Sequence, residues 1–190
     1  MKYGEFRELV TRDFYRYYCR TTNYIWLYGL ILGKPQFKLV FMYRLSQYTK
    51  GKPRLSKMVV TLIRKIQYRN NKVSLPREAK IGPGLCIFHP VNIRISGDCK
   101  IGLNFTVAHN VTLGWVNHGA KRGVPEIGNN VYIGPGALVL GKIKIGDNVL
   151  IAGNSFVTHD IPSNSVVYGN PCIVKPCENA TEGYILNTLP

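Results

Sequence analysis

A six-residue period governs the second half of this chain. From residue 127 a bulky aliphatic recurs as Ile127, Ile133, Val139, Ile145, Ile151 and Val157. A second set sits four residues later in each hexad: Val131, Ala137, Ile143, Val149 and Ser155. An α-helix repeats at about 3.6 residues and a strand at about 2, so six fits neither. Short extended pieces joined by tight turns do fit. Three hexads close one triangular coil, and coils stack at the inter-strand distance of about 4.8 Å. Gly128-Asn129-Asn130 and Gly146-Asp147-Asn148 supply turn conformations that bulky residues resist. The spacing predicts a parallel β-helix.

The period extends upstream as Leu75, Ile81, Ile87 and Ile93, and then, after a slip of two residues, as Ile95, Ile101, Val107 and Leu113. From Leu113 to Ile127 the step is 14, one hexad plus eight extra residues. The surplus predicts a loop excursion at residues 115–125. Loops that leave a rigid scaffold tend to carry function.

Charge divides the chain at the same place as the period. Residues 1–72 hold 16 Lys/Arg against 3 Asp/Glu, whereas residues 73–190 hold 9 against 7. The first segment lacks the hexad and contains 9 of the 12 tyrosines. It reads as helices from Tyr3 to about Tyr18, from about Gln36 to Tyr48 and from about Leu55 to Arg69. Lys34-Pro35 and Lys52-Pro53 mark the breaks. The expected organisation is a basic, aromatic helical region over 1–72, the β-helix over 73–176 and a C-terminal tail over 177–190. The fold class is mainly β, about five coils preceded by a small α-helical segment.

Several function classes drop out. The apolar stretch Ile25–Leu32 is 8 residues long, and a membrane-spanning helix needs roughly 20. The first twenty residues alternate charges with aromatics and lack a secretion-signal apolar run. The five cysteines have no metal or redox spacing, and they read as thiols of a reducing cytoplasm. The net charge of +15 permits nucleic-acid binding, but no reading motif accompanies it. Basic helices carrying Trp and Tyr suit an anionic membrane face. The expected location is therefore cytoplasmic, peripheral at the inner face of the plasma membrane.

The repeats Ile133-Gly134-Pro135-Gly136-Ala137, with Val111-Thr112-Leu113-Gly114 before the loop and Val167-Tyr168-Gly169-Asn170-Pro171 near the end, resemble the hexapeptide-repeat acyltransferases. The resemblance is strongest to serine acetyltransferases and to bacterial polysaccharide O-acetyltransferases, and covers roughly residues 73–176. It implies a left-handed β-helix, a homotrimer with active sites between subunits, and acetyl-coenzyme A as acyl donor. It also implies that the pantetheine arm passes Gly114, Trp115, Gly134, Pro135 and Gly153, with Lys175 near the nucleotide end. No metal is expected.

Moving an acetyl group from a thioester to a hydroxyl needs a base for the hydroxyl proton, and a neutral imidazole suits the role near pH 7. His89, in Ile87-Phe88-His89-Pro90, matches the family's catalytic histidine by position. His109 lies 20 residues on, one coil of 18 plus the slip of two. Equivalent corners of adjacent coils are thus expected for the pair, with His109 assisting. His118 and Arg122 in the excursion are candidates to meet substrate.

Departures from the family pattern bear on the acceptor. Serine acetyltransferases place an aspartate directly before the catalytic histidine, where this chain has Phe88. They place another one coil earlier, where counting back gives Ser74. Those acids suit an amino-acid acceptor, whose ammonium needs a counter-charge. An aromatic face packs instead on a sugar ring. The expected function is O-acetylation of a sugar hydroxyl in bacterial capsule or exopolysaccharide synthesis. The alternatives are serine O-acetylation in cysteine synthesis and a non-catalytic β-helix scaffold.

Overall fold

The structure is a computed structural model and describes residues 1–54, 56, 58, 60–62, 65 and 72–188. It opens with helix α1 (Tyr3–Tyr18), a short α2 (Ile25–Leu27) running into one π-helical turn over Tyr28–Leu32, and α3 (Pro35–Tyr48). Pro35 occupies the first turn of α3, where its missing N–H leaves no helical bond unmade. The structured turn at 25–32 was not legible as an element. The third predicted helix, with Leu55, Val59, Ile63 and Ile66 on its apolar face, falls mostly outside the described residues.

Fourteen short strands follow: β1 (Lys80–Ile81), β2 (Cys86–Ile87), β3 (Arg94–Ile95), β4 (Lys100–Ile101), β5 (Thr106–Val107), β6 (Thr112–Gly114), β7 (Glu126–Ile127), β8 (Val131–Ile133), β9 (Leu138–Leu140), β10 (Lys144–Ile145), β11 (Val149–Ile151), β12 (Phe156–Val157), β13 (Ser165–Tyr168) and β14 (Ile173–Pro176). Face one stacks β1-β4-β7-β10, face two β2-β5-β8-β11-β13 with β14 at its edge, and face three β3-β6-β9-β12. Every pairing is parallel except β13 with β14. This is the left-handed parallel β-helix expected, with four full coils and a partial fifth.

The register places like residues on like. Ile81, Ile101, Ile127 and Ile145 stack along face one, and Ile87, Val107, Ile133, Ile151 and Val167 along face two. All nine are at most 5% exposed, and full burial of each such side chain is worth about 1.5–3 kcal/mol. The two-residue slip is not where the aliphatic series placed it. Ile93 and Ile95 are both buried, one immediately before β3 and one within it, and the extra residues form the corner at 88–92. Leu75 is only partly buried and lies outside the stacked strands.

Among the described residues no full coil lies beneath the first, and apart from Ser74 on Arg94 the helices serve in its place. Asp13 accepts from the backbone N–H of Gly84 (2.9 Å) and Leu85 (2.7 Å), and the Tyr17 hydroxyl accepts from Ile87 N–H (2.7 Å). Arg44 donates to the carbonyls of Ile81 and Gly82, both at 2.6 Å, and Tyr43 to that of Ala79 at 2.7 Å. Arg44 also grips Asp13 with both arms at 2.7 and 3.2 Å, with neither side chain exposed to solvent. Burial works against the charge on Arg44, but Asp13 beside it holds the guanidinium above its ordinary pKa. At the other end β14 folds back on β13 and shields the last rung of face two.

Beyond β14 the tail returns along the solenoid to α1. Thr181 donates to Asn148 Oδ1 (2.8 Å), the Tyr184 ring meets Tyr132 (4.9 Å), and Arg16 Nε reaches the carbonyl of Leu186 (2.7 Å).

Candidate active site

The corner after β2 carries the two extra residues, and His89 sits in it with φ of 50°. A left-handed backbone is uncommon outside glycine, though histidine, like asparagine, adopts it more readily than most. Val91 N–H closes the turn onto His89 O at 2.7 Å. One coil on, His109 follows β5 at the equivalent corner, and Gly136 N–H holds its carbonyl at 3.0 Å. The imidazole centroids lie 5.9 Å apart, the rings nearly perpendicular at 83°. The pair thus occupies equivalent corners of adjacent coils, as the spacing predicts.

The two rings differ in surroundings. His89 is exposed, whereas His109 is half-buried and its Nδ1 is sealed from solvent without a hydrogen-bond partner. An orphaned buried ring nitrogen is costly unless something meets it. None of the four histidines enters an ion pair among the described residues. Ser74, the position where the family pattern has a partnering acid, pairs its backbone with Arg94.

The same corner continues upward with shrinking side chains. The rung register that aligns Ile87, Val107, Ile133 and Ile151 also aligns His89 and His109 with Pro135 and Gly153. Gly134 beside them is packed so tightly that a Cβ would stand 2.6 Å from Gly153 N. A track with no large side chain thus leads away from the histidines. Three of the expected cofactor-contact residues, Gly134, Pro135 and Gly153, lie on it.

The other candidates lie elsewhere in the single chain. Gly114 ends β6 and Trp115 follows it, at the corner after face three, one face removed from the histidines. Trp115 is 45% exposed there. The excursion is a small hairpin, with Val116 and Gly123 exchanging two backbone bonds of 3.0 Å. His118 and Arg122 are exposed at its tip. Lys121 ties the hairpin to the carbonyl of Thr158. Lys175 is exposed on β14 at the far end of face two. One chain thus carries the candidate residues on two separate corners, a histidine corner and a loop corner.

Phe88 points out of face two and is 41% exposed. It borders a cavity of about 200 Å³ shared with Arg16, Tyr17, Lys34, Cys86 and the tail residues Leu186 and Asn187. The hexad pattern gave no sign of this cavity, because its walls come from α1 and the tail. Burial pushes the Cys86 thiol above its ordinary pKa, which disfavours the thiolate. All five cysteines are free, and burial pushes Cys99 up to about 12. No cluster able to hold a metal occurs among the described residues.

Comparison with known proteins agrees with this architecture. Residues 125–159 match the family model "Bacterial transferase hexapeptide (six repeats)". A Staphylococcus aureus (strain N315) serine acetyltransferase is 46% identical over 93 residues, which is 49% of this chain and 44% of that one. A Helicobacter pylori serine acetyltransferase is 41% identical over 92 residues, 48% of this chain and 54% of that one. The chain thus spans about half the length of these curated relatives. The structure superposes on Neisseria gonorrhoeae serine acetyltransferase in complex with serine with a TM-score of 0.72. That match has 26% identity and covers 91% of this chain and 70% of the other. Brucella abortus serine acetyltransferase in complex with coenzyme A shares the fold, with TM-score 0.76, 24% identity and coverage of 94% and 71%. The hexapeptide-repeat, serine acetyltransferase-like resemblance is borne out. The relatives are named for serine and not for a glycan, so the polysaccharide expectation gains nothing from them.

Proposed function

We propose that this chain is an acetyl-coenzyme A-dependent O-acetyltransferase with His89 as general base. The observation that carries the reading is the histidine corner itself: His89 and His109 at 5.9 Å, opening onto the small-residue track of Pro135 and Gly153. The serine acetyltransferase relatives and the neighbour holding coenzyme A support the same chemistry. In this reading the track takes the pantetheine arm and brings the thioester to the histidines. His89 accepts the proton of the acceptor hydroxyl as the oxygen attacks the acyl carbon, and returns it to the departing sulfur. His109 orients the site from one coil above. The reacting pair of molecules lies between subunits of a homotrimer, where a neighbour's hairpin brings Trp115, His118 and Arg122 to the histidine corner. The split of the site over two corners supports that assembly.

Serine is the acceptor that the comparisons favour, because the relatives are serine acetyltransferases. One observation favours a sugar hydroxyl instead. Exposed Phe88 stands next to His89, and the sequence has no Asp or Glu between Glu78 and Asp98. An ammonium at this corner would find no counter-charge from that stretch. Acetyl transfer from acetyl-coenzyme A, followed as thiol release with L-serine and separately with oligosaccharides, decides between them. Turnover with serine alone removes the sugar reading. Turnover with neither removes the enzyme reading and leaves a scaffold.

A further inference from the structure

The turn at residues 25–32 has two sides of opposite character. Ile25 and Gly29, four residues apart, face inward. Ile25 joins the cluster of Phe6, Val10, Phe14, Phe37 and Phe41. Gly29 lies flat against Phe41, where a Cβ would stand 2.4 Å from the ring. That anchoring turns the remaining apolar residues outward. Tyr24 is 71% exposed, Leu27 41%, Leu30 49%, Ile31 64% and Leu32 60%. Five large apolar side chains within nine residues form a continuous exposed ridge, which a soluble surface rarely tolerates without a partner.

The ridge is bordered by cations. Arg20 donates to the Tyr28 hydroxyl at 2.9 Å, and the Lys34 ammonium sits 5.3 Å from the centre of the Tyr18 ring. Both partners are neutral, so both charges stay uncompensated. No Asp or Glu occurs from Phe14 through Arg77, a stretch that holds thirteen Lys/Arg before Val73. A second copy of the same ridge would bring these cations against their like. A nucleic acid would meet the cations but leave the leucines in water. An anionic lipid surface satisfies both, since headgroups meet the cations while the ridge enters the acyl boundary.

We propose that the ridge Tyr24–Leu32, with Arg20 and Lys34 at its border, docks this protein on anionic membrane surfaces. The half-buried Trp26 and Tyr28 at its base sit at the depth where amphipathic rings favour the interface. The docking is peripheral: no helix among the described residues is long and apolar enough to cross a membrane. The ridge Tyr24–Leu32 itself lies outside the catalytic reading, since of the docking residues only Lys34 lines the cavity beside Phe88.

The test is flotation of the full-length chain with phosphatidylcholine vesicles, with and without phosphatidylglycerol. Binding is expected only with the anionic lipid, and it is expected to fall as salt rises. The double variant Leu30→Ser with Ile31→Ser should lose at least about tenfold in partitioning. Arg20→Gln with Lys34→Gln should lose roughly fivefold per charge. Both variants should keep the wild-type melting temperature, since these residues are exposed. Equal binding to neutral and anionic vesicles, or unchanged binding by the ridge variant, overturns the proposal. So does a wild type that ignores vesicles while the ridge variant has a lower mass in solution, because the ridge would then be an interface between copies.

Discussion

The β-helix and its helical cap solve one problem in opposite ways. Each inner rung gives its N–H and C=O groups to the backbone of the coil above and the coil below, as in Phe88 N–H to Val107 O and Ala108 N–H to Ile133 O. No side chain is needed for that. Among the described residues the first coil has no full coil below it, only Ser74 on face three. There the groups of Ala79, Ile81, Gly82, Gly84, Leu85 and Ile87 are met by the side chains of Tyr43, Arg44, Asp13, Arg16 and Tyr17. Redundant backbone pairing makes a robust body, while a few single side chains make a brittle junction.

That contrast predicts very unequal costs. Asp13→Ala strips four hydrogen bonds and leaves Arg44 charged, buried and unpaired. Breaking a buried pair from one side costs about 3–5 kcal/mol. Chemical denaturation should show the loss as a much lower midpoint. A change under about 1 kcal/mol would mean that the cap is not the anchor of the first coil. In the solenoid, the largest loss should be of activity and not of stability. His89→Ala should lower turnover roughly a hundred- to ten-thousand-fold, the usual worth of a general base, at an unchanged melting temperature. Ordinary turnover in that variant would remove His89 from the chemistry.

Arg16 joins the two regions and sharpens the comparison at intermediate scale. Its guanidinium donates to Gly84 O, Leu186 O and Thr106 Oγ1, at 2.9, 2.7 and 2.8 Å. Burial lowers its pKa, and the nearby Cys86, Tyr17 and Asp13 only partly oppose that. Arg16→Met should therefore relieve a desolvated charge while orphaning two carbonyls, for a net loss of about 1–3 kcal/mol. The tail should loosen first, seen as faster proteolysis beyond Thr181. A tail as resistant as in the wild type would show that Thr181 on Asn148 and Tyr184 on Tyr132 hold it without Arg16.

What was legible in the sequence follows the same division. A six-residue repeat exposes its own register, so the inward residues, the excursion at 115–125 and the adjacency of His89 and His109 could all be read. Two readings there failed: Leu75 lies outside the stacked strands, and the slip was assigned between Ile93 and Ile95 because both residues are buried and either fits an aliphatic series. In the cap, Asp13 to Arg44 spans 31 positions and Asp13 to Leu85 spans 72. No period connects such residues, so the cap's cations read as surplus charge when two of them are buried structural donors. The cavity beside Phe88 was invisible for the same reason, since α1 and the tail meet there from 170 positions apart. The outward ridge at 25–32 depends on Gly29 lying against Phe41, a contact that hydropathy does not encode.

The smallest effect belongs to charge on the solenoid's own surface. Lys100 and Glu126 face each other across β4 and β7 at 2.8 Å, with side chains 64% and 48% exposed. The hydrogen bond and charge of Lys100 lower the Glu126 pKa, and those of Glu126 raise that of Lys100. Such a pair acts only while both groups are charged. Its contribution fades as pH falls through the lowered carboxylate value, and again as pH rises through the raised ammonium value. Water and salt screen it throughout, so Glu126→Gln should shift the melting temperature barely at neutral pH and not at all in high salt. The backbone ladder beneath, with Ile101 on Ile127, carries that rung without it. A large, salt-resistant loss in this variant would break the contrast, because it would give a surface charge of the body the weight that the buried Asp13–Arg44 pair has in the cap.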